Sequence, residues 1–368
     1  MKVPYNNLAI QHKNIKAELL EVISEIIDTG QFILGEEVKK FEKSFAALCG
    51  TEYAISVANG TDALFLTMKG LGIGPGDEVI TAPNSFLASA SSIAIAGATP
   101  VFADVRDDFN LDPVQVKKAI TPNTRAIIAV HLTGRPAPLN ELADIAKQFN
   151  IHLIEDAAQA VGAEYNGKKV GSFGIAGCFS LHPLKNLSAC GDGGVITTNN
   201  AELYNYLLKA RNHGLINRDE CAFWSYNSRL DNIQAAILNV KIGALEQWTQ
   251  RRREIAGMYQ KQLKTIENSI IPVDSANEKA VYHTFIIQVP QRDALQKYLA
   301  EQGVDSKIHY PIAIHLQEGA SYLGYKKGDF PVAEKQMETI LSLPMFPELT
   351  NEQIAFVTQS VLDFFKKN

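Results

Sequence analysis

Residues 151–157 read IHLIEDA, an apolar run of about one strand's length that ends on two acidic residues. Its apolar positions are continuous, which is typical of a strand covered on both faces of a sheet. Segments of helical period separate it from six further β-rich runs, YAISVAN (53–59), EVITAP (78–83), TPVFADV (99–105), RAIIAVH (125–131), AGCFSL (176–181) and GVITT (194–198). The alternation predicts an α/β domain with a mostly parallel sheet sandwiched by helices.

The second part of the chain has a different pattern. A helical pattern covers residues 232–263, and a strand-like run, a helix-like run and a closing helical run follow at 281–290, 292–303 and 351–367. A chain of 368 residues also exceeds the usual size of a single hydrophobic core. We therefore expect a large domain over residues 1–245, including an N-terminal helical segment, and a smaller C-terminal α+β domain over residues 246–368.

Composition and charge exclude several classes of protein. Hydrophobic residues make up 46% and charged residues 20%, and the formal net charge of −5 does not favour a nucleic-acid partner. No signal peptide or membrane-length apolar run is present, so we expect a cytoplasmic protein without membrane contact. The four cysteines are scattered without ligand spacing, and we predict neither disulfides nor a metal site.

Two charged residues follow predicted strands, where active sites of parallel sheets gather. Asp156 ends its apolar strand, and a buried carboxylate there requires either a cationic partner or a role as helix cap. Lys185 lies in CFSLHPLKNLSACGDGGVITT (178–198), before a glycine-dense turn. A loop lysine is usually a solvated charge, but a desolvated one can form a Schiff base with a carbonyl.

Two further strand ends complete a pattern. NGTDALFLTMKGL (59–71) opens a helix at Gly60 and Thr61, which offers either an anion site or a simple capping turn. Ser180 can add a hydroxyl to the same anion. Phe86 is either a core residue or an aromatic face for a flat ring. A phosphate turn, an aromatic face, a buried acid and a lysine together are what a pyridoxal phosphate site requires.

Ordered blocks along nearly the whole chain resemble one family. They are GQFILGEEVKKFEKSFA (30–46), NGTDAL (59–64), EDAAQA (155–160), CFSLHPLKNL (178–187), YNSRLDNIQAAIL (226–238), HYPIAIHLQ (309–317) and LSLPMFPELT (341–350). The sequence resembles the DegT/DnrJ/StrS family of sugar aminotransferases, which are pyridoxal-phosphate enzymes of fold type I. It departs from the family pattern at GDGG (191–194), where GEGG is common, and at Leu181, which replaces an aromatic residue.

The resemblance implies roles for individual residues. Lys185 would bind the cofactor covalently and later carry the proton, while Asp156 would keep the pyridine nitrogen protonated. Gln159 would lie near the ring hydroxyl and Phe86 on the ring face. The phosphate would be surrounded by Gly60, Thr61, Asp62 and Ser180.

The resemblance also implies a homodimer with shared active sites, in which Asn227 reaches the phosphate of the neighbouring subunit. Taken locally, Asn227 is an ordinary turn residue. Candidates for acceptor recognition are His182, Lys307, His309, Tyr310 and His315. As an alternative, His309 and His315 are structural histidines.

The expected reaction is transfer of an amine from an amino acid, for which we favour L-glutamate, to a keto or aldehyde sugar. The resemblance favours a nucleotide-linked sugar used for surface polysaccharide, such as lipopolysaccharide, or for an antibiotic. HPLKNLSACGDGG (182–194) also resembles relatives acting on sugars without a nucleotide, such as an oxidised 3-deoxy-manno-octulosonate that gives its 8-amino derivative.

Three other classes are weighed against this reaction. A pyridoxal-dependent sugar dehydratase or lyase would use the same cofactor site, although relatives that act as dehydratases carry His in place of the lysine. A catalytically silent regulatory protein would keep the fold without turnover. A nucleotide-binding oxidoreductase is disfavoured, because no GxGxxG follows the first strand.

Overall fold

The computed structural model describes residues 1–367 as a central seven-stranded sheet between helices, a small three-stranded sheet, and a smaller unit of helices built on a two-stranded sheet. The helices are α1 Leu8–Lys13, α2 Lys16–Thr29, α3 Glu36–Cys49, α4 Gly60–Gly70, α5 Ala88–Ala96, α6 Pro113–Ala119, α7 Leu139–Phe149, α8 Ala201–Ala210, α9 Asn232–Ile242, α10 Leu245–Leu263, α11 Arg292–Glu301, α12 Pro331–Thr339 and α13 Asn351–Lys367. The strands are β1 Tyr53–Val57, β2 Glu78–Thr81, β3 Thr99–Phe102, β4 Thr124–Val130, β5 His152–Asp156, β6 Glu164–Tyr165, β7 Lys168–Lys169, β8 Ala176–Ser180, β9 Gly194–Thr198, β10 Glu278–Lys279, β11 Phe285–Gln288 and β12 Ile340–Leu343.

In the small three-stranded sheet the strand order is β10-β6-β7, and in the central sheet it is β1-β9-β8-β5-β4-β2-β3. Neighbouring strands from β8 to β3 are parallel, whereas β9 runs antiparallel to both of its neighbours, β1 and β8. The seven apolar runs predicted as strands are the seven strands of this sheet. The predicted α/β fold with a mostly parallel sheet is therefore confirmed.

Helices cover both faces of this sheet, which explains the continuous apolar runs. One cluster of buried apolar side chains joins α3, α7 and α9 to the sheet, and a second joins α4, α5 and α8 to it. Strand β5 contributes Leu153 to the first cluster and Ile154 to the second. Successive side chains of a strand point to opposite faces, so both faces of a covered strand must be apolar.

The C-terminal unit is built around the antiparallel pair of β11 and β12. A third apolar cluster joins these strands to α10, α11 and α13. These elements agree with the α+β pattern predicted for residues 246–368, while the division between two domains at residue 245 stays a prediction. The helical pattern over 232–263 forms two helices, because the chain breaks at Gly243 and Ala244. Glycine is a weak helix former, which favours a break there.

The first residues of the chain pack with this C-terminal unit. Val3 pairs with Val304 in a parallel bridge and belongs to the third apolar cluster. Its N–H donates to the carbonyl of Gly303, and its carbonyl accepts from the N–H of Asp305, both at 2.9 Å. The N-terminal segment therefore contacts the unit that lies farthest from it in sequence. No helix among residues 1–367 has the length and apolar character to span a membrane.

Candidate active site

A cavity of about 640 Å³ lies where the carboxyl ends of the parallel strands meet the C-terminal unit. Strands β1, β2, β5 and β8 each lead directly into residues that line it. Eleven of the predicted site residues line this cavity, namely Gly60, Thr61, Asp62, Phe86, Asp156, Gln159, Ser180, His182, Lys185, His309 and Tyr310. The structure thus brings most of the predicted site together.

Asp156 is the last residue of β5 and is buried, with 5% of its surface exposed. One carboxylate oxygen accepts a hydrogen bond from the Ser89 hydroxyl at 2.8 Å, and the other accepts from the N–H of Ala158 at 3.2 Å. These two bonds fix the carboxylate at the floor of the cavity. Among residues 1–367 the acid is therefore held in place without an ion pair, and it can face a cationic group of a ligand.

Lys185 lies in the loop between β8 and β9 and is partly buried in the cavity wall. Burial lowers the pKa of its amine from the ordinary value to about 8, and the charge of Asp156 acts in the opposite direction. A lysine with this pKa has a substantial neutral fraction near pH 8, and the neutral fraction rises as the pH rises. Only the neutral amine is a nucleophile, so this environment suits covalent chemistry.

The loop that carries Lys185 is tied down on both sides. The N–H of Lys185 donates to the carbonyl of His182 at 2.8 Å, which closes a turn. The side chain of Asn186 donates to the carbonyl of Val161 at 2.7 Å, and the N–H of Leu181 bonds the carbonyl of Gly193 at 2.8 Å. These hydrogen bonds hold the loop in one conformation and so fix the position of Lys185 in the cavity.

The amino end of α4 approaches the end of β8 closely. A Cβ atom at Gly60 would lie 2.7 Å from Cβ of Ser180, so only glycine fits at this contact. The first N–H groups of a helix have no partner within the helix, and the helix dipole favours an anion beside them. Gly60, Thr61 and the Ser180 hydroxyl can therefore receive a phosphate group.

Asp62 has an additional role that the sequence did not predict. Its N–H donates to the Asn59 side chain at 2.8 Å, which caps α4. Its carboxylate accepts from the Ser228 hydroxyl at 2.6 Å. Ser228 follows Asn227 directly, so Asp62 ties the amino end of α4 to the segment that carries Asn227.

Aromatic and amide side chains line the same cavity as Asp156. Phe86 is 52% exposed towards the cavity and solvent, and its ring centroid lies 5.7 Å from that of Tyr310. Gln159 accepts from the N–H of Thr133 through its side-chain oxygen at 2.8 Å, which leaves its amide N–H groups to donate. An anion site, an aromatic face, a carboxylate and a lysine in one cavity fit pyridoxal phosphate.

Three predicted site residues do not line the cavity. Lys307 forms an exposed ion pair with Asp305 at 2.8 Å. His315 is buried against Glu334, with Nε2 3.1 Å from the carboxylate, which agrees with the structural alternative. Asn227 is exposed to solvent and pairs with Asn212 in an isolated bridge.

Tyr5, Ser89, His283 and Thr284 contribute to the cavity but were not predicted from the sequence. Ser89 belongs to α5, four residues from Ser85, with which it shares a hydroxyl hydrogen bond of 2.8 Å. Two serines four residues apart, just after a strand end, are a pattern from which a polar contact in the site could have been predicted. Tyr5 and the pair at 283–284 lie far in sequence from the strand ends that form the cavity, and no local pattern marks them.

Comparison with known proteins agrees with this geometry. The sequence profile of the DegT/DnrJ/EryC1/StrS aminotransferase family matches residues 13–362. A pleiotropic regulatory protein of Geobacillus stearothermophilus is 44% identical over 369 residues, covering 100% of this chain and 99% of the relative. The dTDP-3-amino-3,6-dideoxy-alpha-D-galactopyranose transaminase of Aneurinibacillus thermoaerophilus is 42% identical, with 98% of each chain covered.

A solved structure of a related protein has the same fold. The crystal structure of S. venezuelae DesV in complex with a ketimine intermediate superposes with a TM-score of 0.97. The two sequences are 38% identical, and 99% of each chain is covered. The whole fold is therefore shared with this solved structure. The chain belongs to the DegT/DnrJ/EryC1/StrS aminotransferase family and is a pyridoxal-phosphate-dependent aminotransferase.

Proposed function

We propose that this enzyme transfers an amine from L-glutamate to the keto group of a nucleotide-linked sugar, in the biosynthesis of amino sugars for surface polysaccharides such as lipopolysaccharide. The observation that carries the proposal is Lys185 beside the buried Asp156 in a cavity of about 640 Å³. The transaminase from Aneurinibacillus is named for a dTDP-linked amino sugar, which supports an acceptor of this class.

The cofactor, when bound, supplies a covalent attachment point and an electron sink for the substrate carbon. In the proposed mechanism Lys185 would be the residue that holds the cofactor covalently in the resting enzyme, and its amine would be free while substrate is bound. Its free amine then holds the proton that leaves the substrate carbon. The lowered pKa of about 8 places that amine in the range where a general base is effective.

Asp156 would keep the ring nitrogen of the cofactor protonated. Its two hydrogen bonds, from Ser89 and Ala158, hold the carboxylate in one orientation without neutralising its charge. A buried carboxylate next to a cation strongly favours the charged form of both groups. Gly60, Thr61 and Ser180 would hold the phosphate, and Phe86 would cover the ring.

One relative is named a regulatory protein rather than an enzyme. A protein that only senses a ligand has no use for a lysine of lowered pKa facing a buried acid. The side chains of Lys185 and Asp156 therefore support turnover in this chain.

Mixing the holoenzyme with L-glutamate is expected to bleach the visible absorption of the lysine–cofactor link within one half-reaction. Adding a keto sugar is then expected to restore the absorption, and only nucleotide-linked keto sugars should do so efficiently. The measurement is absorbance spectroscopy with each keto sugar offered both with and without its nucleotide. D-Glutamate serves as the control for the donor. An unchanged spectrum with every L-amino acid would contradict the proposed reaction, and faster recovery with free keto sugars would contradict the acceptor class.

We further propose a homodimer in which Asn227 of one subunit contacts the cofactor phosphate of the other. Asn227 is exposed and does not line the cavity of its own chain. It adjoins Ser228, which bonds Asp62 at the amino end of α4. Exposed apolar side chains nearby, Trp224 at 94% and Tyr226 at 49%, support a contact surface in this region.

Mixed dimers test the shared site. Subunits of Lys185→Ala and subunits of an inactivating Asn227 variant such as Asn227→Asp are each expected to be inactive alone. After they are mixed and allowed to exchange, one site in each mixed dimer lacks both changes, so part of the activity should return. Loss of a neutral hydrogen bond to the phosphate costs only ~1 kcal/mol, which is why the aspartate, with its repulsive charge, is the better variant. A fully active monomer in sedimentation experiments would exclude the shared site.

A further inference from the structure

His283 and Thr284 form part of the cavity wall but have no role in the mechanism proposed above. They immediately precede β11 in the C-terminal unit. Thr284 is 6% exposed, and its hydroxyl has no hydrogen-bond partner in the part of the chain that the structure describes. Nδ1 of His283 is likewise buried without a partner. A buried polar atom without a partner is costly, so two of them beside one cavity indicate a polar ligand.

The electrostatic surroundings of His283 are basic. The charged groups that act on its ring belong to Lys185, Arg252, His309 and His182. Burial, followed by these groups, holds the pKa of His283 well below its ordinary value, so the imidazole is neutral and donates through one nitrogen. Of these groups, Arg252 keeps its positive charge near neutral pH, whereas burial lowers the pKa of His309 to about 4, so the charge behind this wall is that of the guanidinium.

Arg252 lies behind the wall with 3% of its surface exposed. Its Nη1 atom donates to the carbonyls of Tyr282 and His283, both at 3.3 Å, and to that of Met345 at 3.1 Å. Within residues 1–367, no carboxylate forms an ion pair with this guanidinium. Glu348 acts on it only at longer range. The arginine thus fixes the backbone of the wall and places a positive charge behind it, without a direct ion pair among the described residues.

Gln159 adds a donor at the same place. Its side-chain oxygen accepts from the N–H of Thr133 at 2.8 Å, so its amide has two N–H donors, one for the predicted contact with the ring hydroxyl and one for a further ligand. The carbonyl of Thr133 in turn accepts from the N–H of Thr284 at 3.4 Å. Gln159 and Thr284 are therefore tied to one residue and lie next to each other. An amide, a hydroxyl and an imidazole together present three donors backed by a positive charge.

We propose that Gln159, His283 and Thr284 form the subsite that binds the α-carboxylate of the amino donor. Two acceptor oxygens and one negative charge complement three donors in front of a buried arginine. The cofactor phosphate has its own site at the amino end of α4, and a sugar hydroxyl carries no negative charge to complement the guanidinium. This inference rests on the proposed function, because it assigns a place to the carboxylate of the amino acid used there.

Thr284→Val tests the subsite with a change of nearly equal shape. A hydrogen bond to a charged group contributes enough that we expect the half-saturating concentration of L-glutamate to rise about tenfold or more. The maximal rate of bleaching should change little. Thr249→Val is the matched control, because Thr249 is 2% exposed in α10 and does not line the cavity. The control should keep the wild-type concentration dependence.

His283 requires two variants, because a large change there could disturb folding. His283→Leu removes the donor and is expected to weaken L-glutamate binding by about ten- to a hundredfold. His283→Asn keeps an N–H group and should recover part of that loss. Circular dichroism and retention of the cofactor confirm that both variants are folded. Equal losses in the two variants would assign His283 a packing role and overturn its place in the subsite.

Calorimetry with glutarate separates this inference from the proposed function. Glutarate carries the carboxylates of glutamate without the amine, so its binding to the holoenzyme requires no reaction. We expect glutarate to bind the wild type and to bind Thr284→Val and His283→Leu about tenfold or more weakly. If no amino acid bleaches the wild type but glutarate binds in this pattern, only the proposed reaction fails. If glutarate does not bind, or binds all variants equally, the carboxylate subsite is overturned.

Discussion

Replacing Lys185 by alanine is expected to lower the rate of transamination by at least about a thousandfold, within the range of a lost general acid–base group. The same change should remove the visible absorption of the lysine–cofactor link. No other lysine lines the cavity in the described part of the chain, so no second amine can take over. Steady-state kinetics and the absorption spectrum of the purified variant measure the two effects.

Two further variants define what the alanine result means. Lys185→Arg keeps a positive charge but should be as inactive as the alanine variant, because a guanidinium stays protonated and is not a nucleophile. Lys39→Ala removes an exposed lysine of α3 and should leave both the rate and the spectrum unchanged. Substantial activity of Lys185→Ala would show that the central assignment is wrong.

The second large effect is expected for Asp156→Asn. An amide keeps the shape of the side chain but cannot hold a proton on the ring nitrogen by charge. We expect proton abstraction to slow by about a hundred- to ten-thousandfold, while the cofactor remains bound through Lys185 and the amino end of α4. Rapid-mixing kinetics with deuterated L-glutamate measures the proton step, and the cofactor content is measured after dialysis.

The matched control for this change is Asp112→Asn. Asp112 also accepts a helix N–H, from Val114 at 2.9 Å, but it does not line the cavity. Asparagine caps helices about as well as aspartate, so this variant should keep full activity and stability. A near-normal proton step in Asp156→Asn would remove Asp156 from the mechanism.

Features determined by local sequence were predictable. The seven strands of the central sheet were visible because burial on both faces requires continuous apolar runs, as in β4 and β5. Asp156 and Lys185 were found because each follows such a run, at the edge where the strand ends converge. Gly60 was found in the same way, since a turn between a strand and a helix has its own residue preferences.

Features that depend on distant contacts were not predictable in this way. The strand order was not apparent, because the antiparallel placement of β9 depends on its neighbours. His315 and His309 looked equivalent in sequence, yet one packs against Glu334 and the other lines the cavity. No sequence pattern marked His283. Its proposed role in ligand binding depends on Arg252 behind it, and the position of Arg252 follows from tertiary packing.

The bridge between Val3 and Val304 has a consequence for the order in which the protein forms during synthesis. Val3 emerges from the ribosome early in synthesis, whereas Val304 emerges only when most of the chain has been made. Strand β5, which ends in Asp156, and strands β8 and β9, which flank the Lys185 loop, can pack before then, because their partner strands have already been synthesised. Tyr5 reaches the cavity wall only after Val3 has paired. A nascent chain can therefore form the strand ends that bind the cofactor before it can complete the wall of the active-site cavity. The enzyme becomes able to catalyse its reaction only late in translation.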